Sequence, residues 1–197
     1  KWEKKEEKEY FEDIEKVDSY DKFKPMLAHD YTKRPQDFGW SQPKLDGIRC
    51  IARKDGLYTR AGKAITTCDH ISEDLELFFE ENPDVILDGE LYNHELKADF
   101  NKITSLVRKV KPTEEEAQEC SELVQYWIYD MYDTMDPTEI FSFRIQFLNR
   151  EIMTLYKALE VVETAYCNNQ NLLDRKYSDY TEAGYEGQMV RNDTPYE

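Results

Sequence analysis

The sequence predicts an α+β fold with mainly antiparallel sheets flanked by helices, and three observations carry that prediction. Short runs of β-branched and aromatic residues are punctuated by Asp46-Gly47, Asp55-Gly56 and Asp88-Gly89, and Asp-Gly is a strong signal for a tight turn between strands. Other segments carry apolar residues at helical spacing instead. With 197 residues and 40% hydrophobic content the chain can bury one good core, and neither a repeat nor a low-complexity linker divides it.

In chain order, residues 2–20 read as a charged helix with a thin apolar edge at Tyr10, Ile14 and Val17, peripheral to the main body. Lys24-Pro25-Met26-Leu27-Ala28 is an extended entry. Strands are expected over 40–44, 48–53 and 57–60, with Asp46-Gly47 as a turn that needs a positive φ. Ile71, Leu75, Phe78 and Phe79 mark a helix over 69–81 that stops before Asn82-Pro83. A buried strand over 85–91 is broken by Asp88-Gly89. Phe100, Ile103, Leu106 and Val107 mark a further helix, and an acidic segment separates it from a Tyr- and Trp-rich strand over 123–131. Asp136-Pro137 opens a long helix with Phe141, Ile145, Leu148, Ile152 and Leu155 on one face. A short strand over 161–166, a helix over 171–183 closed by Gly184, and a last strand over 186–191 complete the domain, 23–197.

Composition narrows the function. No apolar run approaches the roughly 20 residues of a membrane span, and no signal peptide opens the chain. Cys50, Cys68, Cys120 and Cys167 lack C-x-x-C pairing, which fits a reduced, cytoplasmic protein rather than a zinc or disulfide scaffold. His29, His70 and His94 have no metal spacing either. The formal net charge of −16 argues against a large DNA-wrapping surface but leaves room for a local basic cleft. Basic residues cluster at Arg49, Arg53, Lys54, Arg60 and Lys63, and again between Lys97 and Lys111; the segment 100–111 is either a DNA contact or a plain helix surface.

Neither G-x-x-x-x-G-K-[ST] nor G-x-G-x-x-G occurs, so a nucleotide must be held by another route. Lys44-Leu45-Asp46-Gly47-Ile48-Arg49 offers one: a lysine fixed at a strand end after Pro43, with an arginine on the returning strand. A lysine near positive charge loses its proton more readily and becomes a nucleophile. Four more segments follow in order: Thr59-Arg60-Ala61-Gly62, Leu87-Asp88-Gly89-Glu90-Leu91, Trp127-Ile128-Tyr129-Asp130, and Glu186-Gly187-Gln188-Met189-Val190-Arg191.

In this order and spacing the five segments resemble the motifs of the covalent nucleotidyltransferases, which comprise ATP-dependent DNA ligases, RNA ligases and mRNA capping guanylyltransferases. The resemblance implies an ATP-grasp-like nucleotidyltransferase (adenylation) domain that uses ATP and Mg²⁺. It assigns Lys44 as the nucleophile that takes AMP, Arg49 to the nucleotide sugar, and Arg60 to phosphate of the nicked strand. By the same resemblance Glu90 takes the ribose, Glu186 the metal, and Tyr129 stacks on the purine, with Gln42 facing the purine edge. Read from the residues alone, solvated acids at a sheet rim remain the alternative for the two glutamates, and a core role the alternative for Tyr129.

Glu186-Gly187, where other branches carry Asp-Gly, and the Lys24-Pro25-Met26-Leu27-Ala28 lead-in favour a compact viral or bacterial ATP-dependent DNA ligase. An RNA ligase, a capping guanylyltransferase, or a nucleotide-binding module without turnover are the alternatives. The resemblance further implies nicked duplex DNA as partner, a monomer, and a bacterial or infected-cell cytoplasm. It also leads one to expect a K-x-K strand and an OB-fold domain in the same polypeptide; neither is found before Glu197, which suggests a fragment.

Overall fold

The computed structural model describes residues 23–97, 99–109, 111–152 and 156–197. The expected helix over 2–20, and Leu155, lie outside the described residues.

Two sheets organise the chain. The larger has six strands in the order β4-β3-β2-β5-β6-β7: Ala64–Ile65, Gly56–Thr59, Ile48–Arg53, Val85–Tyr92, Gln125–Asp133 and Leu159–Val161. All its pairs are antiparallel except β6 with β7. The smaller sheet is β8-β1-β9, Ala165–Cys167, Gly39–Lys44 and Gly187–Arg191, also antiparallel. The mainly antiparallel α+β architecture expected from the sequence is the one observed.

Helices cover one face of the large sheet. They are α1 (Asp69–Asp74), α2 (Glu76–Glu81), α3 (Phe100–Val107), α4 (Glu114–Leu123) and α5 (Phe141–Glu151). Side chains alternate across β5: Val85, Leu87 and Leu91 enter the helix-side core with Ile71, Leu75, Ile103, Phe141, Ile145 and Leu148. Asp88, Glu90 and Tyr92 therefore face the other way, toward the small sheet. Helix α6 (Gln170–Glu182) supports that small sheet, burying Leu173 and Tyr180.

Register on β6 decides which side chains reach the space between the sheets. Asp88 pairs with Asp130 but Gly89 pairs with Ile128, so Tyr129 is an extra residue, a β-bulge. Tyr126 and Ile128 lie in the helix-side core, and after the bulge so does Met131. One inserted residue thus moves Asp130 to the opposite face, beside Asp88.

Several expectations are corrected. Asp46-Gly47 is not a hairpin turn, since β1 and β2 belong to different sheets, and Gly47 does not adopt a positive φ. Glycine is required there by close approach: a Cβ would lie 2.7 Å from Glu90 Cγ and nearer still to the Leu91 carbonyl. Asp88-Gly89 does not break β5 but runs through it. The expected helix over 69–81 is two short helices meeting at Leu75. The long helix starts at Phe141, not at Asp136-Pro137, and the stretch 161–166 belongs to two strands in separate sheets. The acidic segment forms α4, capped reciprocally by Thr113 and Glu116. That T-x-x-E signature was visible in the sequence.

Gly89 lies beside the bulge, where a Cβ would sit 2.5 Å from Trp127 O and 2.6 Å from the Tyr126 ring. Gly89→Ala is expected to lower unfolding free energy by about 1–3 kcal/mol through overpacking, read as a lower midpoint in urea denaturation.

Candidate active site

Lys44 is the last residue of β1 and pairs in the ladder with Gly187 of β9. The Glu186 amide donates to the Lys44 carbonyl at 3.1 Å, and the Lys44 ammonium forms an ion pair with the Glu186 carboxylate. The first and last motifs, separated by most of the chain, therefore meet at one strand end. Both side chains remain partly exposed, at 41% and 45%. Beside them His94 stacks on Tyr185 with ring centroids 4.1 Å apart, and Lys97 Nζ donates to Ala183 O at 2.7 Å. These contacts join the end of β5 to the segment leading into β9.

Arg49 lies opposite Glu90 across the β2–β5 ladder. Its guanidinium forks onto Asp88, Nε to Oδ1 at 2.9 Å and Nη2 to Oδ2 at 2.6 Å, while Nη1 donates to Met26 O at 2.6 Å. A bidentate, charge-assisted pair of this kind fixes orientation as well as position. Glu90 is half-buried, and burial pushes its carboxyl up to about 8, against the opposing charge of Arg49. It is therefore protonated at neutral pH.

Tyr129, the bulge residue, has its ring 5.8 Å from Arg49 Cζ and 5.3 Å from Arg191 Cζ, with burial raising its phenol well above the ordinary value. Its carbonyl accepts from Gln42 Nε2 at 2.9 Å. Gln42 is itself buried; it also donates to Thr164 Oγ1 and accepts from Arg191 Nε, both at 2.9 Å. Its amide is thus committed to joining the sheets. Arg60 follows β3 just beyond Thr59, which pairs with Cys50, so it sits level with Arg49. It is exposed, and no hydrogen bond or ion pair joins it to the other candidates among the described residues.

Sequence reasoning missed the charges that support these groups. Asp130, the last residue of the Trp127-Ile128-Tyr129-Asp130 segment, is given no role there and is wholly buried in β6. Arg144 forks onto it from α5 at 2.8 and 3.0 Å, and Arg191 Nη1 reaches it at 3.0 Å. In the segment 100–111, Lys102 and Lys109 pair with Glu119 and Glu116 of α4. No group of three or more His, Cys, Asp or Glu among the described residues could hold a metal ion by itself. Among them, too, no helix is long and apolar enough to cross a membrane.

This arrangement has counterparts. Residues 25–197 match the family described as ATP dependent DNA ligase domain. The chain belongs to that family. More specifically, it is the adenylation domain of an ATP-dependent DNA ligase. No curated protein matches it significantly. Among solved structures, a Lig E DNA ligase aligns with a TM-score of 0.66 at 23% identity, over 88% of this chain and 63% of that one. The chlorella virus DNA ligase-adenylate aligns at 0.62 and 23%, over 88% and 61%. An archaeal ATP-dependent RNA ligase aligns at 0.57 and 16%, over 86% and 44%. The ligase domain thus spans less than two thirds of each of these structures.

Glu90 gives the domain a pH signature. An acid whose folded pKa is raised contributes stability that is complete below its unfolded pKa, near 4.3, and is lost as pH rises through the folded value of about 8. Glu90→Gln, which keeps the shape without the charge, is expected to be more stable than wild type at pH 8 by about 1 kcal/mol or more. The gap should narrow steadily as pH falls and close only below about pH 4, as read from melting temperatures across pH 4–8.

Proposed function

We propose that the domain takes AMP from ATP onto Lys44 and serves a ligase that seals 3′-hydroxyl and 5′-phosphate ends in nicked duplex DNA. The observation that carries this reading is the meeting of Lys44 with Glu186 at the end of β1, a short connection before β2, on which Arg49 lies opposite Glu90 of β5. In the reaction the Lys44 amine, once deprotonated, attacks the α-phosphorus. A phosphoramidate N–P bond forms, the bond to pyrophosphate breaks, and pyrophosphate leaves. AMP then passes to the 5′-phosphate of the nick, and the 3′-hydroxyl displaces it.

Each residue has a part in this reading. Arg49 and Glu90 hold the sugar, Tyr129 offers its ring to the purine, Gln42 stabilises the wall behind that ring, and Arg60 contacts phosphate of the nicked strand. Glu186 suits Mg²⁺, which commonly binds through one or two carboxylates with water and substrate phosphates completing its shell. That ion would supply charge neutralisation on the phosphates. The same reading includes an OB-fold domain in the same polypeptide, a monomeric enzyme, a cytoplasmic setting, and a role in DNA repair, replication or recombination.

The likeness to an archaeal RNA ligase keeps RNA ends as the second reading. Covalent labelling with α-labelled ATP and Mg²⁺ tests the first step: wild type should take up label and Lys44→Ala none. Label on the alanine variant, or none on wild type, would contradict the assignment. Transfer of that label to a nick bearing DNA but not RNA termini would favour the DNA reading.

A further inference from the structure

The segment following β9 is fastened to the domain at three successive points. Asp193 accepts from the Ser142 amide at 2.7 Å and the Ser142 hydroxyl at 3.0 Å, at the start of α5. The residue at the cap position, Ile140, offers no side-chain bond there, so a carboxylate from a distant segment meets the exposed N–H groups. Thr194 O then accepts from the Phe141 amide at 3.2 Å and from Arg144 Nη1 at 3.0 Å. Finally the Tyr196 ring packs against Phe23 and Tyr132, with centroids 5.4 and 5.7 Å away.

This strap delivers the Tyr196 hydroxyl to Asp88 Oδ2 at 2.5 Å. The Met26 amide donates to the same hydroxyl at 3.2 Å, and the Met26 carbonyl accepts from Arg49 Nη1. With the fork from Arg49 to Asp88, the bonds close into a ring through Arg49, Asp88, Tyr196 and Met26. Burial and the neighbouring Asp88 carboxylate both push the Tyr196 phenol up, so it remains a donor throughout the physiological range.

We propose that Tyr196 is a positioning residue for Arg49: its hydroxyl anchors Asp88 and the Met26 lead-in together, and so fixes the guanidinium level with Glu90. The proposal rests on the reading above in that Arg49 is taken to face the nucleotide sugar. A tyrosine serving only to fill space would be replaceable by phenylalanine, because the ring contacts need no hydroxyl. Loss of the hydroxyl alone leaves the Met26 amide without its acceptor and the Asp88 carboxylate without one donor. Arg49 can then pivot on its remaining fork.

Tyr196→Phe tests this, with folding checked by melting temperature. Exchange of the Arg49 Nε–H proton, followed by ¹⁵N NMR and assigned by its loss in Arg49→Lys, should quicken by about ten-fold, the factor one charge-assisted hydrogen bond is worth. In Lys44 labelling, the KM for ATP should rise about ten-fold while the maximal rate stays within about two-fold, the pattern of lost ground-state binding. Added to Arg49→Lys, Tyr196→Phe should cost nothing further, since both act through one group. Unchanged Arg49 exchange in a folded Tyr196→Phe protein, or a full additional loss in the double variant, would overturn the proposal. If wild type takes no label, the proposed function fails, and the exchange measurement still decides the role of Tyr196.

Discussion

The arrangement of the site depends on one buried carboxylate. Asp130 is fully enclosed, and an enclosed charge costs several kcal/mol in lost hydration unless opposite charges and hydrogen bonds replace the water. Arg144 supplies two bonds from α5, Arg191 one from β9, and the Met131 amide another at 2.8 Å. The carboxylate thereby ties the large sheet, the helix behind it and the small sheet to a single point. Arg191 also holds Gln42 on β1, two residues before Lys44. The strand end that presents Lys44 is thus oriented by a group far from it in sequence.

The bulge at Tyr129 makes that possible. Without the extra residue, strict alternation would turn Asp130 toward the helix-side core among Tyr126 and Ile128, away from Asp88. With it, Asp130 and Asp88 share a face, and each receives a forked arginine. The bulge residue's own carbonyl lacks a place in the ladder, and Gln42 satisfies it from the opposing sheet. A local irregularity therefore aligns the two ion pairs and joins the two sheets.

Much of this fold was legible because its signals are local. Period-two and period-3.6 patterns placed most strands and helices, and the lysine and glutamate motifs named the two residues that meet. The three Asp-Gly pairs show where local reading stops. Asp55-Gly56 closes the β2–β3 hairpin as expected. Asp46-Gly47 joins strands of different sheets, and Asp88-Gly89 lies inside a central strand. The same dipeptide suits all three because glycine permits both a turn and a close approach of backbones, and sequence cannot say which is needed. Asp130 and Tyr196 were missed for a related reason: their partners stand 14 and 61 residues from Asp130 and 108 from Tyr196, and no periodicity connects them.

Charge is arranged differently on the surface and between the sheets. The 42 acidic residues dominate the whole, but several of them balance surface lysines, as Glu116 and Glu119 do on α4. Within the site, Lys44, Arg49, Arg144 and Arg191 are each paired with Asp88, Asp130 or Glu186, and Asp46 adds a further acid near Glu90. Burial raises the Glu90 carboxyl to about 8, so below that pH it adds no further negative charge to the group. A low-dielectric surrounding amplifies a difference of one charge, so the burial that keeps Glu90 neutral weighs more between the sheets than one acid does on the surface.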